Sequence, residues 1–305
     1  MIDHTGLVVT VLARGKAFYT AALAPLGIKP IMEFPAGVGY GKGFADGCDG
    51  ELWLVHAVDD GVLTGGWGVM YDPTILADVG AEALKEAQAW LDSVAFPRDR
   101  VHAEVMIGHP TAVMADLSEH ARLVVVGRRA QSGLERMFVG STSVSLAATV
   151  RCPLTIISAA STPHPTGAHG RVAVAVTTPE RAHQALAWGF EEARWRASHH
   201  LVVVHVVPPE PKGLFKSKLP PLEKRLAKAR DDIEAVLTPL REKYPDVTVD
   251  SEVRYGVPIE SLIEETGTVD LLILGVHSHP VTGVTFGGVV RGVLAHALCP
   301  VCLVR

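Results

Sequence analysis

The chain has 305 residues, 48% of them hydrophobic, a formal net charge of −5 and four cysteines. That length suits two ordinary domains with sizeable cores, and the acidic balance, with a pI near 6.3 and a mean hydropathy of +0.25, argues against a general nucleic-acid binder. Cys48, Cys152, Cys299 and Cys302 are too few for a disulfide framework, no apolar run approaches the ~18 residues of a membrane span, and MIDHTGLVV lacks a signal-peptide pattern, so a cytoplasmic protein is expected.

In chain order, GLVVTVL at 6–12 is apolar enough for a central strand, and Ala13, Ala17, Phe18 and Ala21 fall on one side of a following helix. An excursion, Ile28–Gly50, offers a hairpin of KPIMEF against GVGYG. ELWLVHAV at 51–58 is a buried strand. Asp72-Pro73 then reads as helix cap and first helical residue, with Leu76, Val79, Ala83, Ala87, Trp90 and Val94 at helical spacing. A short strand, Val101–Met106, leads through Gly108-His109-Pro110 into another helix. The apolar run Leu123–Val126 is followed by a polar loop, a helix opening at Gly140-Ser141-Thr142-Ser143, Cys152-Pro153 and a last strand, Leu154–Ile157. Residues 159–170, rich in Ser, Thr, Pro, Gly and Ala, form a linker in which His164 and His169 are solvated.

The order then repeats. RVAVAV at 171–176 and LVVVHVV at 201–207 are strands, and Pro221 opens a helix with Leu222, Leu226, Ala229, Ile233, Val236 and Leu240 on one face. A strand over Val247–Arg254 leads through Gly256-Val257-Pro258 into a helix. LLILG at 271–275, a loop, a helix, Cys299-Pro300 and Val301–Val304 complete the set. Gly127 and Gly275 lie 148 positions apart, and Cys152 and Cys299 lie 147 apart. Two units in register over that length mean a duplicated domain. Strands alternating with helices, several of them apolar throughout, imply an α/β protein with parallel sheets covered on both faces. Cys299-Pro-Val-Cys302 precedes a strand rather than opening a helix, and no second such pair completes a zinc site, so a redox or metal role is not expected.

The first polar loop, GRRAQSGLERMFVGSTS at 127–143, carries the chemistry. Ligands of open parallel sheets bind outside the carboxyl ends of strands. Gly127 leaves room for a close backbone approach, and the free N–H groups and dipole of the helix opening at Gly140 favour an anion. Ser141 and Thr142 offer hydroxyls, and Arg128, Arg129 and Arg136 offer positive charge. The loop is neither a Walker sequence, having no Gly-Lys-Ser/Thr, nor G-x-G-x-x-G. No nucleophile–base pair or second carboxylate marks hydrolysis, so binding is expected rather than turnover, with slow ATP hydrolysis still compatible.

The pattern Gly127-x2-Ala130-x9-Gly140-Ser141, after an apolar strand and before helix-Cys-Pro-strand, resembles the universal stress protein family, with Ala130 for the family's middle glycine. Residues 171–305 resemble it over nearly their whole length, in RVAVAV, ALAWGFEEARWRA, LVVVHV, YGVPIESLIEE and LLILG. The resemblance implies two tandem Rossmann-like (adenine nucleotide alpha hydrolase-like) domains, 1–158 and 171–305, each with a five-stranded sheet. It implies ATP or AMP as ligand, with Mg as an accompanying ion, and stress-response sensing. In the first domain the implied contacts are Val55, Val126, Gly127, Arg129, Ala130, Gly140, Ser141 and Thr142. In the second they are Thr177, Gly275, Ser278, Gly287 and Gly288, a set that reads as degraded: Thr177 replaces the usual Asp, Ser278 the middle glycine, and Gly288 the hydroxyl residue. His277 and His279 lack a third ligand. The last strands, Leu154–Ile157 and Val301–Val304, are the family's pairing surface and give an internal pseudo-dimer or a homodimer. A nucleotide-free interaction module is the competing reading.

Residues 1–45 instead resemble the first βα half-module of the glyoxalase/bleomycin-resistance superfamily, with His4 at its first metal-ligand position and Lys16–Tyr19 in its helix. One half-module cannot complete a chelate, so no metal cofactor is expected from it. In the stress-protein topology strand 1 is central, and its loss would leave two buried edges unpaired. The expectation is that this segment substitutes for strand 1 and helix 1.

Overall fold

The computed structural model describes residues 51–58, 73–93, 97–128, 141–158, 171–194, 196, 198–210, 219–276 and 287–305. The expected N-terminal strand, helix and hairpin, the linker, and the loops 129–140 and 277–286 lie outside the described residues. The chain divides into two compact units, Met1–Pro163 and His164–Arg305.

In the first unit β1 (Leu52–Val58) runs parallel to β2 (Val101–Ile107), with Leu52 opposite Val101 and Val58 opposite Ile107. Helix α1 (Pro73–Ser93) links them and packs on both. Gly108 follows β2 at φ +144°, a region that Cβ-bearing residues avoid. Its N–H donates to the Val58 carbonyl at 2.8 Å, and the turn delivers His109 as cap of α2 (Pro110–Leu117). The His109 ring accepts from the Thr111 N–H at 3.3 Å, and Pro110 takes the first helical position, where no N–H is needed. Val55 and Ala57 of β1 pack with Val113, Met106, Met114 and Leu117. His56 points the other way, against α1, where a Cβ on Gly80 would come within 2.9 Å of its ring. Then β3 (Val124–Arg128), α3 (Ser141–Thr149) and β4 (Leu154–Ser158) follow, with β3 and β4 parallel from Val124 opposite Leu154 to Arg128 opposite Ser158.

In the second unit β5 (Val172–Ala175), β6 (His200–Val207), β7 (Thr248–Tyr255), β8 (Leu271–Gly275) and β9 (Val301–Val304) lie in the order β9-β8-β5-β6-β7. Every neighbouring pair is parallel. The interior strands are apolar because both faces are covered, whereas β7, at the edge, reads TVDSEVRY and is largely half-exposed. Helices α4 (His183–Arg194), α5 (Leu222–Lys243), α6 (Pro258–Thr266) and α7 (Gly288–His296) make the connections. Strands β6 and β7 build outward on one side of β5, β8 and β9 on the other. Right-handed crossovers therefore put α4 and α5 on one face and α6 and α7 on the opposite one. Gly189 lets α4 approach β5: a Cβ there would stand 2.3 Å from Val174 Cγ2. Phe190, Leu186, Leu201 and Ile233 are the largest fully buried side chains of this core.

At the amino ends of the strands the two units carry the same contact of carboxylate with imidazole, its two partners exchanged between the strands. In the first, His102 of β2 stands 3.3 Å from Glu51, just before β1, and its ring stacks on Trp53 with centroids 4.6 Å apart. In the second, His200 of β6 stands 2.7 Å from Asp250 of β7. The strand registers make these positions equivalent. Cys299 and Cys302 are buried and form no disulfide, and burial pushes the Cys299 thiol well above its ordinary range.

Candidate functional site

The sheet order of the second unit fixes where a ligand would go. From β5 the chain crosses to β6 on one side, and β8 lies on the other, so the crevice opens between the carboxyl ends of β5 and β8. Ala175 pairs with Leu274, which sets Val176 and Thr177 beside Gly275. Val176 is pinned from two sides: its N–H donates to the Val204 carbonyl at 2.9 Å, and its carbonyl accepts from the His205 ring Nδ1 at 2.7 Å. Thr177 beyond it is exposed. Next to Gly275, Val276 donates its N–H to the Val304 carbonyl at 2.7 Å, which anchors the start of the following loop.

Across the loop, α7 begins at Gly288, after Gly287, with no side-chain cap. A Cβ built on either glycine meets nothing within 4 Å. Neither glycine is therefore required by crowding among the described residues. Ser278 lies outside the described residues.

In the first unit, Val126 and Gly127 are the third and fourth residues of β3, opposite Ile156 and Ile157 of β4. Ser141 and Thr142 are the first two residues of α3, where backbone N–H groups have no helical partner. The expected strand and helix ends therefore frame the loop. Arg129, Ala130 and Gly140 lie in the part that is not described. Val55 is the fourth of the seven residues of β1, 3% exposed, and its side chain belongs to the apolar cluster beneath α2.

One residue pair escaped the sequence reading. Strand register and the matching Gly108–Val58 and Gly256–Val207 hydrogen bonds make His56 and His205 equivalent. Each is the one ionisable residue inside its apolar strand run, LWLVHAV and LVVVHVV. That placement was the available signal. Among the described residues no group of three or more His, Cys, Asp and Glu comes together as a metal site, and no helix is long and apolar enough to cross a membrane.

Parallel strands with crossover helices and a crevice at the strand reversal define an α/β domain of Rossmann-like form, present in tandem. The universal stress protein family model matches residues 36–158 and 169–305, and the chain belongs to that family. A universal stress protein of Mycobacterium tuberculosis is 28% identical over 267 residues, covering 83% of this chain and 87% of the relative. One from Mycolicibacterium smegmatis is 28% identical over 213 residues, covering 67% and 69%. Among solved structures, a universal stress protein of Archaeoglobus fulgidus superposes with a TM-score of 0.57 at 17% identity, covering 84% of this chain and 86% of that one. A Pseudomonas aeruginosa protein gives 0.52 at 15%, covering 83% and 82%. At these identities the structural likeness is one of fold. The family match begins at residue 36 and so takes in the end of the segment read as glyoxalase-like, a reading that finds no support.

Proposed function

We propose that the protein is a cytoplasmic stress-response regulator that binds ATP or AMP, with Mg accompanying the phosphates, chiefly in its first unit and without rapid turnover. The observation that carries this reading is the start of α3: its first two residues are Ser141 and Thr142, two hydroxyl-bearing residues at the end of a helix that comes after β3 and Gly127 in the chain. Backbone donors, dipole and hydroxyls together suit a phosphate. The second unit offers the same helix end without hydroxyls, since Gly288 opens α7, and it presents exposed Thr177 in place of a carboxylate. That difference supports a weaker affinity in the second unit. The same residues favour, as a second reading, a nucleotide-free interaction module. The apolar last strands, β4 and β9, belong to the proposal as the family's pairing surface.

The deciding experiment is nucleotide content. Purified protein is denatured, and released adenine nucleotide is identified, with Gly140→Asp in parallel. Wild type carrying ATP or AMP beside an empty variant supports binding. An empty wild type that also fails to take up added ATP sinks it and favours the interaction module.

A further inference from the structure

The two units treat one face of their sheets differently. Strand register and the matching Gly108–Val58 and Gly256–Val207 hydrogen bonds make Trp53, Glu104 and Met106 of the first unit equivalent to Val202, Glu252 and Arg254 of the second. The helix starts at Pro110 and Pro258 likewise match Leu117 with Glu265. In the second unit Glu252 holds a cation of its own chain. Arg254 donates from Nε to Glu252 at 2.8 Å, and its Nη2 donates to Glu265 of α6 at 2.5 Å. In the first unit the acid is kept and the cation is not. Met106 and Leu117 stand in the places of Arg254 and Glu265 and pack against Val55, Ala57 and Val113. Glu104 is exposed and has no ion pair among the described residues. Close to it stands Trp53, 42% exposed where Val202 is 0% exposed. We propose that this face of the first unit is a docking site for an arginine side chain of a partner protein, with the guanidinium on Glu104 and against the Trp53 indole.

The placement follows from the pleat. Trp53 is opposite His102 in register, and alternation puts both on the same face as Glu104. Glu104 follows His102 by two positions, about 7 Å along the strand. The indole is already held in one orientation. It stacks on the His102 ring with centroids 4.6 Å apart and 22° between the planes, and His102 Nε2 stands 3.3 Å from Glu51. A fixed aromatic surface loses little freedom when a ligand arrives. Glu51 and Glu104, both exposed, put carboxylates on either side of Trp53 along this face.

The chemistry selects a guanidinium. Carboxylates beside an indole attract an organic cation, and a guanidinium both stacks on the ring and bonds a carboxylate through its fork. The second unit has the equivalent carboxylate holding that group. Exposed residues on a sheet face would leave most of a free small molecule in water, so the cation comes on a larger surface that adds contacts around it. The net charge of −5 favours the approach of a basic partner. Trp53 is the second residue of β1, at the end of the strand opposite the crevice, so the inference stands whether or not a nucleotide binds.

Fluorine NMR of the full chain labelled with fluorotryptophan tests it, with acetyl-Ala-Ala-Arg-Ala-Ala-amide as probe. The Trp53 resonance is assigned by its loss in Trp53→Phe. The expected result is a saturable shift of that resonance, with Glu104→Gln weakening the peptide about threefold or more. The citrulline form of the peptide, which keeps the shape without the charge, should leave the resonance in place. Glu260→Gln, a change to an exposed acid of α6, should bind as wild type. Met106→Arg with Leu117→Glu rebuilds the second unit's network around Glu104 and should abolish the shift. Where that double variant does not fold, Glu104→Gln and the citrulline peptide decide. An unmoved Trp53 resonance, an unchanged affinity in Glu104→Gln or an equal shift with citrulline overturns the proposal. Free arginine amide binding about tenfold more tightly than the peptide overturns it by making the occupant a small molecule. A wild-type dimer that Glu104→Gln dissociates overturns it by making a second copy the occupant.

Discussion

His205 donates its Nδ1–H to the carbonyl oxygen of Val176 across 2.7 Å, tying the carboxyl end of β5 to the middle of β6. An acceptor carbonyl fixes the tautomer, with the proton on Nδ1. The bond holds the backbone at the mouth of the second unit's crevice, just before exposed Thr177. His205→Phe keeps a ring but strands that carbonyl. The expected loss is about 1–3 kcal/mol in urea unfolding, with faster amide exchange confined to 172–178 and 201–207.

Space around the glycines separates two outcomes. Gly189→Ala places a Cβ 2.3 Å from Val174 Cγ2 in the core beneath α4, and about 1–3 kcal/mol of destabilisation is expected, read as a lower Tm. Gly288→Ser meets nothing within 4 Å. That variant should keep its Tm within about 2 °C. By supplying the hydroxyl found at Ser141, it should tighten ATP binding to the second unit about fivefold to tenfold by calorimetry. A large Tm loss from Gly288→Ser would contradict the open geometry at the start of α7.

Acid sensitivity has a specific contributor. Glu234 of α5 bonds to Arg241 and accepts from Ser251 Oγ of β7 at 2.6 Å, joining helix to edge strand. The Arg241 guanidinium first, and then the Ser251 hydroxyl, hold its carboxyl below the ordinary 4.5. A depressed carboxylate stabilises the fold above its unfolded value and loses that contribution as pH falls through the folded one. Glu234→Gln should therefore cost about 0.5 kcal/mol at pH 7, the modest value expected of a half-exposed pair, and nothing at pH 2. A constant difference between the two proteins across that range would refute the linkage.

The terminal thiols should be inert. Cys299 and Cys302 are 3% and 0% exposed, and burial disfavours the Cys299 thiolate. Iodoacetamide should leave both unmodified in the native protein over hours and label both in 6 M guanidinium.

Much of the fold could be read in the chain because its punctuation is local. Pro73, Pro110, Pro221 and Pro258 mark helix starts within one residue of where they occur, and the apolar runs at 52–58, 124–126, 201–207 and 271–275 are strands. Pairing is a non-local property and was less accessible. GLVVTVL at 6–12 predicts a strand but not its neighbours, and the β9-β8-β5-β6-β7 order of the second unit could not be read from its sequence. At the site, the run ELWLVHAV does not reveal that Val55 lies three residues short of the end of β1 with its side chain in the core. His56 and His205 were visible as paired letters in the repeat. The role of His205 was not, because a ring bond to a carbonyl 29 residues away leaves no local pattern.

The exchanged carboxylate–imidazole contacts at the amino ends of the strands have a bearing on how a duplicated chain avoids confusing its halves. Tandem copies with alike strands are prone to hybrid sheets during folding. Glu51 faces His102 in one unit and His200 faces Asp250 in the other. A mistaken partnership of β1 with β7 would oppose Glu51 to Asp250, and one of β6 with β2 would oppose two imidazoles. Each correct pairing joins acid to base, and each incorrect one sets like against like. Exchanging acid and imidazole between two equivalent positions thus gives strands of like sequence separate addresses.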